Sequence, residues 1–365
     1  MPATVADLAG AMEAIAPTRF AAQWDNVGLI VGDPACSVDG VLLTIDCTLA
    51  AVNEAKASGC GAIVSYHPPL FEAVKRLSAG SPAYEAVRAG IAVYSPHTAL
   101  DVAAGGTNDV LADALGMTMR APLRGVEQCH DAHYKLVTFV PAEHVEAVSR
   151  AMFQAGAGRI GRYSFCSFRA QGTGTFFGEE GANPVVGRPG RLEEAAEVRL
   201  ETVVPVASAE AVVHALRSAH PYEEPAFDLV VLASPPSQRG FGRKGTVDRI
   251  RLRALVERIK AALETPHVLV AGDLDHEVTS AAVCAGSGSE MVGDAIRARV
   301  DLLLTGELRH HDALRALEAG MAVVCTRHST SERAALGALR RRLAERLPNV
   351  TFACSREDRE PFAFA

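Results

Sequence analysis

The stretch GVLLTIDCTLAAVNEAKASGCGAIVSYH, residues 40–67, decides the fold class of this chain. Two apolar runs within it, GVLLTID (40–46) and GAIVSYH (61–67), are typical of buried strands. The segment AVNEAKASG (51–59) between them is typical of a helix that ends at a glycine. A strand, a helix and a second strand at this spacing indicate parallel pairing through a crossover connection. The sequence therefore predicts a layered α/β domain.

The same alternation continues along the chain and returns in its last third. Helices are predicted at 82–90 and 108–116, around a strand at 91–97. In the last third, strands are predicted at 267–273, 281–286, 301–307 and 321–328. The final segment, 331–347, is predicted to be an amphipathic helix that packs on the core through Leu336, Leu339, Leu343 and Leu347.

The middle of the chain has a different pattern. Strands are predicted at YKLVTFV (134–140), AEVRLETVVPV (196–206) and AFDLVVL (226–232), around helical patterns at 144–156 and 208–220. This order, strand–helix–strand repeated, is typical of a ferredoxin-like domain. The glycine-rich stretch 172–191 is predicted to be a hairpin or a loop. The stretch 238–246 is predicted to be a linker that returns to the α/β body. We therefore expect a layered α/β body in two halves, 1–130 and 236–365, interrupted by an inserted ferredoxin-like domain at 131–235.

Length, charge and cysteine usage restrict the class of protein. A chain of 365 residues is long enough for two or three domains of about 150 residues each. It carries 36 Lys and Arg against 43 Asp and Glu, and the resulting net charge of −7 argues against nucleic-acid binding. Neither a secretory signal pattern nor a run of about 18 apolar residues is found, which argues against a membrane partner. Eight scattered cysteines without a CxxC pair indicate reduced thiols, so a cytoplasmic protein is predicted.

Imidazoles and carboxylates follow the ends of four predicted strands. These residues are Tyr66 and His67, His97 and Asp101, Glu307 with His310 and His311, and His328 with Glu332. Because ligands collect at the carboxyl ends of strands in α/β sheets, we expect these side chains to converge at one sheet edge. The mixture of nitrogen and oxygen donors suits Zn, Fe or Mn, and a shared carboxylate can bridge two ions. The sequence therefore predicts a divalent-metal site.

Several of these residues also fit a second interpretation. His328 and Glu332 have a spacing that suits two metal ligands. The segment Ser329–Glu332 equally fits an S-x-x-E capping box for the following helix, in which Glu332 binds no metal. His310 and His311 fit either a catalytic role or an exposed helix start. WDNVG (24–28) fits either a wall of the site or a turn. GSGS (286–289) fits either an anion cradle at a helix start or a plain strand-to-helix turn, and HPYEE (220–224) fits a solvent-facing or partner-facing segment.

Four segments of the chain resemble the NIF-three-like dinuclear-metal proteins, which are also described as GTP cyclohydrolase I type 2 homologues. They are SYHPPLF (65–71), SPHTALD (95–101), LLLTGELRHHD (302–312) and RHSTSER (327–333). The segments WDNVGL (24–29), GGTND (105–109) and AGSGSEM (285–291) resemble the same family. The resemblance implies that the insert is CutA/PII-like and that the protein forms a homohexamer.

The resemblance also implies roles for individual residues. It places metal ligands at His67, Asp101, His328 and Glu332, and it places Glu307, His310 and His311 near the substrate as catalytic candidates. Many members of the family carry a second histidine where this chain has Tyr66. A phenolate could replace that imidazole, water could fill its place, or the site could hold a single ion, so we expect one or two ions per subunit.

These observations favour a metal-dependent hydrolase that acts on a small phosphorylated or nucleotide-like substrate, because metal-activated water is a nucleophile near neutral pH. A non-catalytic metal-binding scaffold or regulatory protein is the alternative from another functional class. Ring opening of GTP, which the resemblance implies, uses the same kind of activated water and is a third hypothesis.

Overall fold

The computed structural model describes residues 2–125, 133–232 and 239–363. These residues form two compact units, one built from 2–125 with 239–363 and the other from 133–232. The domain boundaries predicted between 130 and 131 and between 235 and 236 lie outside the described residues. Among the described helices, none combines the length and the apolar character that a membrane crossing requires.

The helices and strands of the protein are numbered in chain order. The helices are α1 (Val5–Ile15), α2 (Leu49–Ala57), α3 (Pro82–Ala89), α4 (His97–Val102), α5 (Thr107–Ala114), α6 (Val145–Gln154), α7 (Ala209–Ala219), α8 (Leu252–Ala262), α9 (Val292–Ala298), α10 (His310–Glu318) and α11 (His328–Arg346). The strands are β1 (Gly28–Val31), β2 (Gly40–Thr44), β3 (Ala62–Ser65), β4 (Ala92–Ser95), β5 (Thr118–Gly125), β6 (His133–Pro141), β7 (Ser167–Phe177), β8 (Leu192–Pro205), β9 (Phe227–Val231), β10 (Gly240–Arg251), β11 (Leu269–Ala271), β12 (Glu277–Ser287), β13 (Leu302–Glu307), β14 (Ala322–Cys325) and β15 (Thr351–Cys354).

The first sheet of the larger unit has the strand order β1-β4-β3-β2-β15. Its strands pair in parallel except for β1, which is antiparallel to β4. The central strands β2 and β3 are continuous apolar runs because helices cover the sheet, and this confirms the strands predicted at 40–46 and 61–67. The predicted leucine stripe of α11 is also confirmed: Leu336, Leu339 and Leu343 are buried in this core, and Leu347 packs against it.

The second sheet of this unit has the order β11-β14-β13-β12-β10-β5, with β12, β13 and β14 parallel. The linker predicted at 238–246 is wrong for its described part, because β10 begins at Gly240 and pairs with both β12 and β5. The glycines of β10 allow close packing of its neighbours. A Cβ at Gly240 would lie 2.1 Å from the Arg124 carbonyl oxygen, and one at Gly245 would lie 2.4 Å from that of Thr118.

The smaller unit follows the order β6-α6-β7-β8-α7-β9, and its antiparallel sheet has the strand order β7-β8-β6-β9. The strands and helices predicted for this region are therefore confirmed, and the stretch 172–191 contributes the end of β7 and the hairpin loop before β8. Both helices cover one face of the sheet. The core between them contains Leu136, Val140, Val148, Met152, Leu200, Val204, Val212 and Leu216.

Candidate metal centre

Two histidines reach the centre from the ends of strands in different sheets of the larger unit. His67 follows β3 in the first sheet, and its backbone N–H donates to the Ile45 carbonyl at 2.9 Å. His328 follows β14 in the second sheet. The expectation of a single sheet edge is therefore wrong, since the strand ends belong to two sheets that meet within the same unit. The strand predicted at 321–328 also ends early, at Cys325, and His328 is instead the first residue of α11.

Glu332 joins the two imidazoles. Its Oε2 lies 3.4 Å from Nε2 of His67, and its Oε1 lies 3.1 Å from Nε2 of His328. The three residues each offer a donor atom, and these atoms lie within 4.8 Å of one another, so together they could hold a metal ion. The Glu332 side chain is only 4% exposed, and its Oε2 makes no well-directed hydrogen bond in the described chain. A buried carboxylate oxygen left in this way is costly unless a cation is bound beside it.

The capping interpretation of 329–332 is wrong. Helix α11 has Arg327 at its N-cap, at φ 77°, and no side chain caps its first turn. The Ser329 hydroxyl instead donates to Glu360 at 2.6 Å. Because Glu332 is one helical turn after His328, the i, i+4 spacing places its carboxylate beside the imidazole.

A further carboxylate contacts the outer nitrogen of each imidazole. Nδ1 of His67 lies 2.9 Å from Oδ1 of Asp46, and Nδ1 of His328 lies 3.1 Å from Oε1 of Glu307. A carboxylate at Nδ1 fixes the ring orientation and favours the tautomer that leaves Nε2 free to bind a metal. Glu307, a predicted catalytic residue, is thus in contact with a predicted ligand.

The charges of the cluster determine its titration. Burial alone lowers the pKa of His67, but its hydrogen bond to Asp46 and its ion pair with Glu332 outweigh this and raise the pKa to about 10. The hydrogen bond to Glu332 raises the pKa of His328 to about 9 despite burial. Burial alone would raise the pKa of Glu332, yet its two histidine partners lower it. Protons on the imidazoles therefore balance the carboxylate charge when no metal is bound, and an ion has to displace them.

Asp101 lies outside this group of three residues, although it belongs to the same cavity wall as Glu332. Its Oδ1 accepts a hydrogen bond from the hydroxyl of Tyr66, and its backbone carbonyl accepts one from Asn108 at 3.0 Å. Burial raises the pKa of Asp101 to about 6, with a further contribution from the Glu332 charge. Burial, followed by the Asp101 and Glu332 charges, also raises the pKa of Tyr66 well above its usual value. In the metal-free protein Tyr66 is therefore a neutral phenol that donates to Asp101, and the phenolate interpretation stays a prediction.

Trp24 and Asp25 connect the segment 24–28 to the site: Trp24 lines the cavity of Glu332, and the Asp25 backbone N–H closes a turn onto the Ala22 carbonyl at 3.0 Å. The Asp25 carboxylate lies 2.7 Å from Nδ1 of His97 and accepts a hydrogen bond from the Thr98 backbone at 3.1 Å. The Trp24 ring lies 5.7 Å from that of Phe71 and 6.0 Å from that of His97, measured between centroids. An indole that is 63% exposed in such a position is available to contact a ligand.

Gly286, at the end of β12, gives the cluster its space. Its φ is +63°, and a Cβ there would lie 2.7 Å from Oε1 of Glu332. Its backbone N–H donates to the Ser331 hydroxyl at 2.8 Å, which ties β12 to the first turn of α11. The segment 286–289 also lines a cavity beside the cluster, so it is part of the site.

Two cavities open beside the cluster. One, of about 520 Å³, is bounded by Asp101, His328 and Glu332. The other, of about 400 Å³, is bounded by Asp46, His67, Glu307 and His328. His310 and His311 are exposed at the start of α10, with their ring centroids 5.4 Å apart, and they line neither of these cavities. The catalytic role predicted for them stays a prediction.

Three residues of the site were missed in the sequence. Asp46 follows β2, the neighbour of β3, and its position at the end of a strand could have identified it as a candidate site residue. Asp25 stood within a segment already noted, but its partner His97 is 72 residues away. Gly286 stood within GSGS, where an unusual φ could not be distinguished from an ordinary turn.

Comparisons with known proteins place this geometry in context. A family model described as Duf34/NIF3 (NGG1p interacting factor 3) matches residues 3–361. A Mycobacterium leprae protein called GTP cyclohydrolase 1 type 2 homolog is 40% identical over 343 residues, which cover 91% of this chain and 88% of the relative. A Bacillus subtilis protein of the same name is 35% identical over 360 residues, or 96% of each chain.

Solved structures show the same similarity. The crystal structure of a Bacillus cereus protein related to NIF3 covers 100% of both chains, with a TM-score of 0.72 and 32% identity. The crystal structure of Staphylococcus aureus protein SA1388 has a TM-score of 0.84 and 28% identity, and the match covers 100% of this chain and 99% of that one.

Proposed function

The chain belongs to the Duf34/NIF3 family, as its motifs predicted, and from this membership we propose that it is a divalent-metal-dependent hydrolase of a small phosphorylated or nucleotide-like substrate. The observation that carries the proposal is the Glu332 carboxylate. It is buried, one of its oxygens makes no well-directed hydrogen bond in the described chain, and it lies between two imidazole Nε2 atoms. This donor set, two nitrogens and a carboxylate, fits Zn, Fe or Mn.

We propose Asp101 as the fourth ligand. The charge of Glu332 contributes to raising the pKa of Asp101, so the two carboxylates disfavour each other's ionisation. A cation beside both would remove that cost. The site would take two ions if Asp101 and Glu332 share them, and one ion if they do not.

The chain's own residues prepare the site for hydrolysis. When bound, the ion would supply Lewis-acid activation of water. Asp46 and Glu307 hold the two imidazoles in a fixed orientation through Nδ1. Fixed ligand orientation keeps the reaction geometry constant from one turnover to the next.

The cavity of about 520 Å³ supports the proposed class of substrate. Arg124 and Arg309 line it, and guanidinium groups are suited to phosphate oxygens. The Arg124 guanidinium is already bound to Asp294 at 2.5 to 2.8 Å, so Arg309 is the stronger candidate for a substrate contact. Trp24 and Phe241 add aromatic surface that a planar base could cover.

The proposal is tested on the purified full chain. Metal content is measured by elemental analysis, and turnover is measured on p-nitrophenyl phosphate, nucleoside phosphates and GTP, before and after chelation. We expect metal and turnover in the wild type and in His214→Ala, whose histidine is exposed in the smaller unit, and loss of both in His328→Ala. Turnover that survives both complete chelation and His328→Ala would reject the mechanism.

A non-catalytic role for the metal is a second candidate, favoured by the position of α11. This helix carries His328 and Glu332 at its start, and it packs Leu339 and Leu343 into the core of the first sheet. An ion shared with His67 would therefore fasten the helix to the end of β3. If chelation lowers the melting temperature strongly and no substrate is turned over, this role is favoured over hydrolysis.

GTP ring opening is a third candidate, which rests on the names of the relatives. The same assay decides it when the GTP reaction is followed by the fluorescence of a pterin-type product. Absence of product at high enzyme concentration would remove it from consideration.

We also propose the assembly and setting that the family resemblance implied: a cytoplasmic homohexamer with a ferredoxin-like, CutA/PII-like insert. Support for the insert comes from the βαββαβ order and the strand order β7-β8-β6-β9 of the smaller unit. Support for the setting comes from the described cysteines, which are free thiols. Analytical ultracentrifugation of the full chain tests the assembly, and any species other than a hexamer contradicts it.

A further inference from the structure

The segment GGTND (105–109) carries part of the family resemblance, but the metal chemistry described above gives it no role. It forms the start of α5, which packs against α4, the helix that carries Asp101. Gly106 permits this close approach, because a Cβ there would lie 1.9 Å from the Leu100 carbonyl oxygen. The polar side chains that the contact brings to the surroundings of Asp101 are those of Thr107, Asn108 and Asp109.

Asn108 joins Asp101 to the second sheet, and it is only 2% exposed. Its Nδ2 donates to the Asp101 carbonyl oxygen at 3.0 Å, and its Oδ1 accepts from the Ala285 backbone N–H at 2.9 Å. Ala285 lies where the pairing of β12 with β13 is interrupted, between Cys284 and Ser287. An amide side chain suits this position because it donates at one end and accepts at the other.

The bridge continues from β12 to α11, the helix that carries His328 and Glu332. The Gly286 backbone N–H donates to the Ser331 hydroxyl at 2.8 Å, and that hydroxyl donates to the His328 carbonyl oxygen at 2.6 Å. Ser331 is 1% exposed and directly precedes Glu332. Two buried side chains, those of Asn108 and Ser331, thus connect the backbones of α4 and α11 through β12.

The other two polar side chains of the motif hold the same part of α4. The Thr107 hydroxyl donates at 3.3 Å to the hydroxyl of Tyr66, which in turn donates to Asp101. The Asp109 carboxylate binds the buried guanidinium of Arg243 at 2.8 and 3.1 Å. That guanidinium also donates at 3.0 Å to the carbonyl oxygen two residues after Asp101. The motif therefore holds both the carboxylate of Asp101 and the backbone beside it.

We propose that Asn108 is a positioning residue of the metal centre, which fixes Asp101 relative to Glu332. This inference rests on the proposed function, in which Asp101 is the fourth ligand. Strand β12 is a fixed reference, because it pairs with both β10 and β13. Helix α4 has only six residues and no side-chain cap, so it depends on neighbouring groups for its position. Asn108 acts through Asp101, since both ends of its amide are already bound to backbone groups.

Competition against a chromophoric chelator, with Zn²⁺ as the probe and the full chain as the sample, tests the proposal. Asn108→Leu removes both hydrogen bonds at a similar side-chain volume. It should raise the dissociation constant about tenfold to a hundredfold, the usual effect when a ligand loses the group that orients it. Asn108→Ala makes the same test without pressing methyl groups against the two backbone groups, and it should have the same effect.

A double-mutant cycle with Asp101→Ala separates positioning from general stabilisation. If Asn108 acts through Asp101, Asn108→Ala should change the Zn²⁺ affinity by less than about twofold once the Asp101 carboxylate is gone. The visible absorption of bound Co²⁺ gives a second readout, because it depends on the number and arrangement of the ligands. The spectrum of Asn108→Ala should resemble that of Asp101→Ala and differ from that of the wild type.

The matched control is Thr265→Val. Thr265 is 4% exposed, its hydroxyl donates to the His267 carbonyl oxygen at 3.1 Å, and it lines neither cavity beside the cluster. This variant should lower the melting temperature and leave the Zn²⁺ affinity unchanged.

Three results would overturn the proposal: wild-type Zn²⁺ affinity in Asn108→Ala, an equal loss of affinity with and without the Asp101 carboxylate, or failure of both Asn108 variants to fold, which would show a purely structural role. Absence of metal from the wild type would reject the proposed function together with this inference. Equal affinities of the wild type and Asn108→Ala would overturn this inference alone.

Discussion

Replacing Asp46 by Asn tests how the chain prepares His67 for a metal. Asp46 accepts a hydrogen bond from Nδ1 of His67 at 2.9 Å, and the amide oxygen of Asn can accept the same bond without the charge. A hydrogen bond to a charged group contributes about 1.5–3 kcal/mol and a neutral one about 0.5–1.5 kcal/mol, so about 1 kcal/mol is at stake. The Asp46 side chain is 48% exposed, and solvent screens part of that difference.

Loss of a partner that orients a ligand lowers metal affinity by about 10–100-fold in general. Because Asn keeps the orienting hydrogen bond and solvent screens the lost charge, we expect the dissociation constant of Asp46→Asn for Zn²⁺ to rise only about threefold to fivefold, the factor that about 1 kcal/mol or slightly less gives. Competition against a chromophoric chelator at constant pH measures it. The control is Asp33→Asn, an equal change of charge at an exposed residue that caps the Ala35 N–H. Equal affinities of wild type and Asp46→Asn, or an equal loss in Asp33→Asn, would refute the reasoning.

Two further predictions concern the same cluster. Metal affinity should rise with pH between 6 and 8, by up to about a hundredfold per pH unit, because an ion displaces one proton from each of His67 and His328. In the metal-free protein the pKa values of these two histidines are about 10 and about 9. A flat pH profile in the chelator competition would contradict this. Gly286→Ala should lower the melting temperature and weaken metal binding, because the new Cβ would meet Glu332. The control is Gly320→Ala, at φ +77° with nothing within 4 Å of the new Cβ, which should lower only the melting temperature. Equal metal binding in the two variants would contradict the steric argument.

Local sequence patterns predicted the parts of the fold that depend on local physics. The strands at 40–46 and 61–67 are apolar on both faces, and the stripe of α11 has helical spacing, so both were visible. The region 240–246 was misjudged because glycine has two uses that look alike in sequence. Gly240 and Gly245 allow close strand packing, whereas a linker uses glycine for flexibility.

The site was predictable only as far as its residues follow strand ends. His67 and His328 stood out for that reason. The pattern S-x-x-E at 329–332, however, fitted a helix cap and a metal ligand equally well, and only the observed helix start, with Arg327 at the N-cap, decides between them. The contact between Asp46 and His67 depends on how two parallel strands are placed side by side, which local patterns do not encode.

Zinc-edge anomalous diffraction from a crystal of the purified, Zn²⁺-loaded protein tests the central claim most directly. We predict an anomalous peak at about 2.0–2.2 Å from Nε2 of His67, from Nε2 of His328 and from an oxygen of Glu332. A peak bound elsewhere, or no peak beside these three residues, would contradict the proposed metal centre.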